Sequence, residues 1–146
     1  MYCNMKPNAR AVIKGSDDFS EIRGEVLFYQ LKRAVLISAK VSGLPQNDTG
    51  FYGFHIHEGS SCEGKGFPNT GSHFNPDNNP HPRHAGDLPP LLSFGGNAFL
   101  QVKTNRFNVR DIIGKTVIIH GGTDDFRTQP SGDAGEKIAC GVINRI

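Results

Sequence analysis

The chain has 146 residues, with 16 lysines and arginines against 14 aspartates and glutamates, a formal net charge of +2, 18 glycines, 9 prolines and no tryptophan. That length suits one domain with a real core rather than two, and a mild, thinly spread positive charge with few aromatic residues speaks against a nucleic-acid or membrane-surface role. No stretch approaches the roughly 18 apolar residues of a membrane span. The opening MYCNMKPNAR also lacks the apolar segment of a secretory or lipoprotein leader, which is compatible with a cytosolic chain as written or with an exported one whose leader has been removed.

Abundant glycine and proline, and the lack of a long apolar segment of 3.6-residue period, point to short strands joined by turns, an all-β sandwich or barrel. ARAVIKG at 9–15 and EIRGEVLFYQL at 21–31 read as the first two strands, separated by the turn signal Gly15-Ser16-Asp17-Asp18. Val35, Ile37, Ala39 and Val41 then alternate with Leu36, Ser38, Lys40 and Ser42 in a half-buried third strand. Between Phe51 and Glu58, Tyr52, Phe54 and Ile56 share the core face, so His55 and His57 point the other way, two residues apart and able to reach one metal. A long excursion without strand pattern runs from Gly59 to about Leu92; loops of this length are functional or disordered unless something orders them. Strands resume at 91–94 and in NAFLQVKTNRF, with Ala98, Leu100 and Val102 opposing Phe99, Gln101 and Lys103. A link over 108–115 leads to Thr116–His120, with Val117 and Ile119 inward and Ile118 and His120 on the opposite side. KIACGVINRI ends the chain, giving about eight strands, a common number for a closed antiparallel barrel.

Five of the six histidines fall within 51–87, and the sixth is His120. Neutral imidazole is the commonest protein ligand for zinc and copper, so this concentration reads as a metal centre rather than a scatter of core side chains. His81, His84 and Asp87 cannot form a helix face, because Pro80, Pro82, Gly86 and Pro89 break that helix. With His73 they make a three-histidine, one-carboxylate set suited to structural zinc. His55, His57 and His120 form a second, all-imidazole set that suits redox-active copper. Of the three cysteines, Cys62 lies in the histidine region and Cys140 in the last strand; a bridge between them would pin the site loop to the barrel, and two unpaired buried thiols are the other reading. Cys3 reads as a free thiol near the terminus.

With these residues in hand, the chain resembles the copper,zinc superoxide dismutase family, through GFHIHE at 53–58, HFNP at 73–76, HAGDL at 84–88, GKTVIIH at 114–120 and GDAGEKIACGVI at 132–143. The resemblance covers nearly the whole chain. It implies an eight-stranded antiparallel Greek-key β-barrel with long metal-binding loops. Copper would be held by His55, His57, His73 and His120, and zinc by His73, His81, His84 and Asp87, with His73 bridging the two. It implies that Asp124 links a copper histidine to a zinc histidine from behind, and that Cys62 and Cys140 form the family disulfide. The implied activity is disproportionation of superoxide to dioxygen and hydrogen peroxide by copper redox cycling beside a structural zinc, with His73 supplying a proton and a positive charge drawing in the anion. Its alternative is a dismutase-like copper or zinc carrier without turnover, and a homodimer is one assembly compatible with the resemblance.

Three positions depart from the family pattern. Where the family carries an active-site arginine, two residues before the alanine of ACGVI, this chain has Lys137, which keeps the charge but not the planar fork; reduced activity is expected. His81-Pro82-Arg83-His84 is a much shorter interval than typical members have, and the loop from Gly121 to Glu136 is short as well, leaving electrostatic guidance to Lys137, Arg127 and few others.

Overall fold

The computed structural model describes residues 4–146, so Cys3 lies outside the described residues. Among them, nine strands form one antiparallel sheet: β1 (Ala9–Gly15), β2 (Arg23–Gln30), β3 (Val35–Ser42), β4 (Phe51–Tyr52), β5 (Phe54–His57), β6 (Leu91–Phe94), β7 (Asn97–Thr104), β8 (Thr116–His120) and β9 (Lys137–Arg145). The spatial order is β4-β6-β7-β3-β2-β1-β9-β8-β5. Its two outermost strands, β4 and β5, are joined in the chain through Gly53, so the sheet curls into a nearly closed Greek-key barrel.

Nine strands stand where eight are expected because Phe51–Glu58 divides. Phe51 and Tyr52 pair with Leu92 and Leu91 of β6, whereas Phe54–His57 pair with Ile119–Thr116 of β8. One continuous strand cannot serve both partners, and Gly53 takes up the change of direction, with its N–H donating to Gly122 O and its carbonyl accepting from the His120 amide. The expected link over 108–115 also contains a short helix, α1 (Val109–Ile112), whose Val109 and Ile112 are buried. At its start Asn108 N–H donates to Asp111 Oδ2 at 2.8 Å, and Val109 N–H to Gln30 Oε1 at 2.8 Å.

The core follows from period-two alternation. Ala11 pairs with Val26, Val26 with Ala39, Phe28 with Ile37 and Ile37 with Val102, each stacking inward-facing apolar side chains in register. Phe28, Ile37, Phe54, Ile56, Val117, Ile119 and Ile143 are fully buried, and each contributes roughly 1.5–3 kcal/mol of transfer free energy. Ile118 departs from the alternation: it faces the outer side of the sheet yet is fully buried, because Phe67 and the Cys62–Cys140 pair cover it. The disulfide ties the loop after β5 to β9, with Cα atoms 5.8 Å apart across 78 residues of sequence. Among the described residues, no helix is long and apolar enough to cross a membrane.

Candidate metal centre

The site lies on the outer face of β5 and β8, beneath the loops that follow β5 and β8. Alternation puts Phe54 and Ile56 in the core, which leaves His55 and His57 outward; His120 ends β8 on the same side. The loop after β5 then returns twice along that strand. Glu58 N–H donates to Ser72 O and Phe74 N–H to Ile56 O, and isolated bridges set His73 beside His57 and Asp87 beside His55. Gly86 permits the second return: a Cβ there would stand 2.3 Å from Ile56 O. Backbone pairing to one strand thus collects residues far apart in sequence.

All six histidines are buried, from 0% exposed at His55 to 6% at His84. Among the described residues, each of four rings commits one nitrogen to a partner that can only accept. His57 Nδ1–H donates to Gly71 O at 2.8 Å, and His120 Nδ1–H to Gly135 O at 3.1 Å. His55 Nε2–H and His81 Nε2–H donate to opposite oxygens of Asp124, at 2.7 and 2.8 Å. Burial raises the Asp124 carboxyl, but hydrogen bonds from His55, His81 and the Phe126 amide outweigh it and hold the group well below the ordinary carboxylate range. Burial pushes His57 down to about 2 and His120 to about 3, and lowers His55 and His84, so these imidazoles are neutral near pH 7.

A neutral ring that donates from one nitrogen presents a bare lone pair at the other. Those lone pairs converge. His57 Nε2 and His120 Nε2 face each other 3.4 Å apart, while His55 Nδ1 and His73 Nε2 are buried without a hydrogen-bond partner among the described residues. The ligand atoms of His55, His57, His73 and His120 all lie within 4.8 Å of one another. Facing lone pairs in a dry site are costly unless a cation sits among them, so this set fits a metal with all-nitrogen ligation, as copper prefers.

Behind His73 a second set gathers. His73 Nδ1 lies 2.8 Å from Asp87 Oδ1 and 3.1 Å from His84 Nδ1; His84 Nδ1 is 3.1 Å from Asp87 Oδ2. His81 Nδ1 is 3.0 Å from Asp87 Oδ2 but out of line for a hydrogen bond. His55 also lies within reach of His73, His81 and Asp87. Its Nε2 is held by Asp124 and its Nδ1 is without a partner, while His84 Nδ1 stands 3.1 Å from both His73 Nδ1 and Asp87 Oδ2 at the edge of this group. Three nitrogens and a carboxylate are a tetrahedral zinc complement. Burial raises the Asp87 carboxyl, and the hydrogen bond and charge interactions with His73, His81 and His84 bring it below its ordinary value.

A cavity of about 490 Å³ opens over His57, His73 and His120, with Lys137, Ser131 and Gly135 on its wall. Lys137 Nζ donates to Thr70 Oγ1 at 2.8 Å, and more weakly to Gly71 O at 3.3 Å and Phe67 O at 3.5 Å. Burial lowers its pKa. The ammonium is therefore tied to the segment from Phe67 to Gly71 on the cavity wall, and its charge contributes to lowering His57 and His120. Arg127 is exposed on the loop after β8. Sequence reasoning misses Gln129 and Arg106, which grip the backbone around His81 and His84; side-chain to backbone contacts between loops leave no periodic signal to read.

The sequence profile of the family described as Copper/zinc superoxide dismutase (SODC) matches residues 22–143. Copper/zinc superoxide dismutase 1 of Aquifex aeolicus (strain VF5) is 36% identical over 135 positions, covering 82% of this chain and 79% of its own. The copper/zinc superoxide dismutase of Deinococcus radiodurans is 31% identical over 163 aligned positions, covering 97% and 86%. The copper chaperone for superoxide dismutase of Rattus norvegicus is 30% identical over 151 positions, covering 94% of this chain but 53% of the chaperone. A profile match over most of the length joins a barrel whose outer face carries two adjacent donor sets, and on these grounds the chain belongs to the copper/zinc superoxide dismutase family, with copper and zinc as its metals.

Proposed function

We propose that the protein is a superoxide dismutase in which His55, His57, His73 and His120 hold copper and His73, His81, His84 and Asp87 hold zinc. Copper supplies, when bound, the one-electron exchange by which superoxide disproportionates to dioxygen and hydrogen peroxide, and zinc supplies a fixed charge. The observation that carries this reading is the buried, partnerless His73 Nε2 beside the facing His57 and His120 Nε2 atoms, beneath a cavity large enough for a diatomic anion. Asp124 fixes the tautomers of His55 and His81 together, so the orientations of the two donor sets are coupled. With Nδ1 turned to the second set, Nε2 is the atom at which His73 would take up and pass on a proton when it is not serving as a copper ligand. Lys137 draws the anion to the cavity; its single ammonium, already donating to Thr70, gives attraction with little orientation.

The test is cyanide-sensitive dismutase activity of the copper- and zinc-loaded protein, assayed beside Lys137→Arg. Activity well above that of the metal-free protein is expected, with a several-fold, on the order of 3- to 10-fold, rise in the arginine variant if orientation at the cavity wall is worth roughly 1 kcal/mol. The likeness to a copper chaperone favours a second reading, a dismutase-like module that carries copper or zinc without turnover; loaded protein without catalysis would establish it. The same proposal includes a second copy as partner: Leu92, Phe94 and Phe99 leave an exposed apolar face on β6 and β7. Sedimentation equilibrium should give a dimer that Phe94→Ser weakens, and a monomer at all concentrations removes this part.

A further inference from the structure

Two residues separate His81 from His84, too few to form an element that could hold both rings in place. Arg83 N–H closes a turn onto Pro80 O at 2.8 Å and Asp87 N–H another onto His84 O at 3.1 Å, and further support comes from elsewhere in the chain. Gln129, in the loop after β8, accepts from His81 N–H at 2.8 Å through Oε1 and donates from Nε2 to His81 O at 2.7 Å. Its planar amide thus pairs with both backbone groups of His81 as a neighbouring strand would. Arg106, in the loop after β7, donates from Nη1 to Pro82 O at 2.9 Å and to His84 O at 3.1 Å. These are charge-assisted bonds from a rigid guanidinium. Three carbonyls, at 81, 82 and 84, are therefore held by side chains of two other loops.

We propose that Gln129 and Arg106 are positioning residues for the zinc half of the centre, an inference that rests on the reading that His73, His81, His84 and Asp87 hold zinc. Gln129 fixes the backbone of His81 while Asp124 fixes the far side of its ring, so Nδ1 has one direction left to face. Arg106 does the same for the turn that delivers His84, whose own N–H is held by Asp87 Oδ2 at 3.0 Å. The two clamps substitute for the loop length that this interval lacks.

The experiment compares the full-length parent with Gln129→Leu, Arg106→Gln and the conservative Arg106→Lys. Zinc affinity is measured by competition with a chromophoric chelator, and geometry by the visible absorption of cobalt(II) in the zinc position. Gln129→Leu and Arg106→Gln are expected to weaken zinc by about 10- to 100-fold and to change the cobalt spectrum, with Arg106→Lys intermediate. With zinc saturating, the cupric EPR spectrum should change less than the cobalt spectrum, because neither side chain touches the copper set and only Asp124 and His73 connect the two. Zinc affinities within about twofold of the parent, with the parent's cobalt spectrum, would overturn the inference, as would lower melting temperatures unaccompanied by any spectral change. A parent that takes up no cobalt, or whose cobalt spectrum survives His84→Ala, would instead sink the zinc reading, and the inference with it.

Discussion

The Asp124 carboxylate holds His55 through one oxygen and His81 through the other, and Gly132 is the residue that leaves it room. The Gly132 backbone has φ +74, and a Cβ there would stand 2.0 Å from Asp124 Oδ1 and 2.7 Å from His81 Nε2. Gly132→Ala therefore pays twice, about 1 kcal/mol for the left-handed backbone and a displaced Asp124 beyond it. Both metals should be held at least about tenfold more weakly, read as metal content after dialysis against a graded chelator, with the far-ultraviolet spectrum of the barrel retained. Parental retention of both metals would show that the Asp124 link does not govern them. The histidines themselves are legible in the sequence, because alternation along 51–58 and the proline-broken run at 80–89 leave few other uses for them. Gly132, Gln129 and Arg106 are not legible, since a close approach or a backbone clamp depends on where two loops meet in space.

At the scale of elements, the strands announce themselves where one face is buried and the other wet, as in β1 and β3, and less well where both faces are covered. Ile118 looks outward by alternation and is buried because Phe67 and the Cys62–Cys140 bridge roof it. The break at Gly53 is invisible for a related reason: its cause is that β4 and β5 pair with different strands. The bridge also reaches the site. Phe67 and Gly71 belong to the segment it anchors, and Gly71 O fixes the tautomer of His57 while also accepting from Lys137. Replacing both cysteines, Cys62→Ser with Cys140→Ser, removes a closed loop spanning 78 residues, worth about 4–5 kcal/mol in the chain-entropy model. The unfolding free energy should fall by that order, seen as a lower urea midpoint with a steeper slope because the unfolded chain is no longer held compact, accompanied by weaker copper retention. An unchanged midpoint would mean that the bridge constrains little of the unfolded chain.

Across the whole molecule, a rigid barrel carries the site on one outer face, and two loops roof it. The net charge of +2 is too small to steer an anion by itself, so the proposed activity assigns guidance to charge placed locally on the cavity wall, at Lys137. The centre in turn braces the molecule, because metal bound to the folded chain and not to the unfolded one adds its binding free energy to stability. On the proposed reading everything functional passes through His73, whose Nδ1 lies beside Asp87 and His84 while its Nε2 is buried without a partner. The direct test is the EPR spectrum of protein carrying copper(II) in the all-histidine set and cobalt(II) in the other. Two paramagnetic ions joined by one imidazole couple, so the copper signal should largely vanish relative to the copper and zinc protein. A copper signal of undiminished intensity at full loading would mean that His73 does not lie between two metals, and would contradict the account.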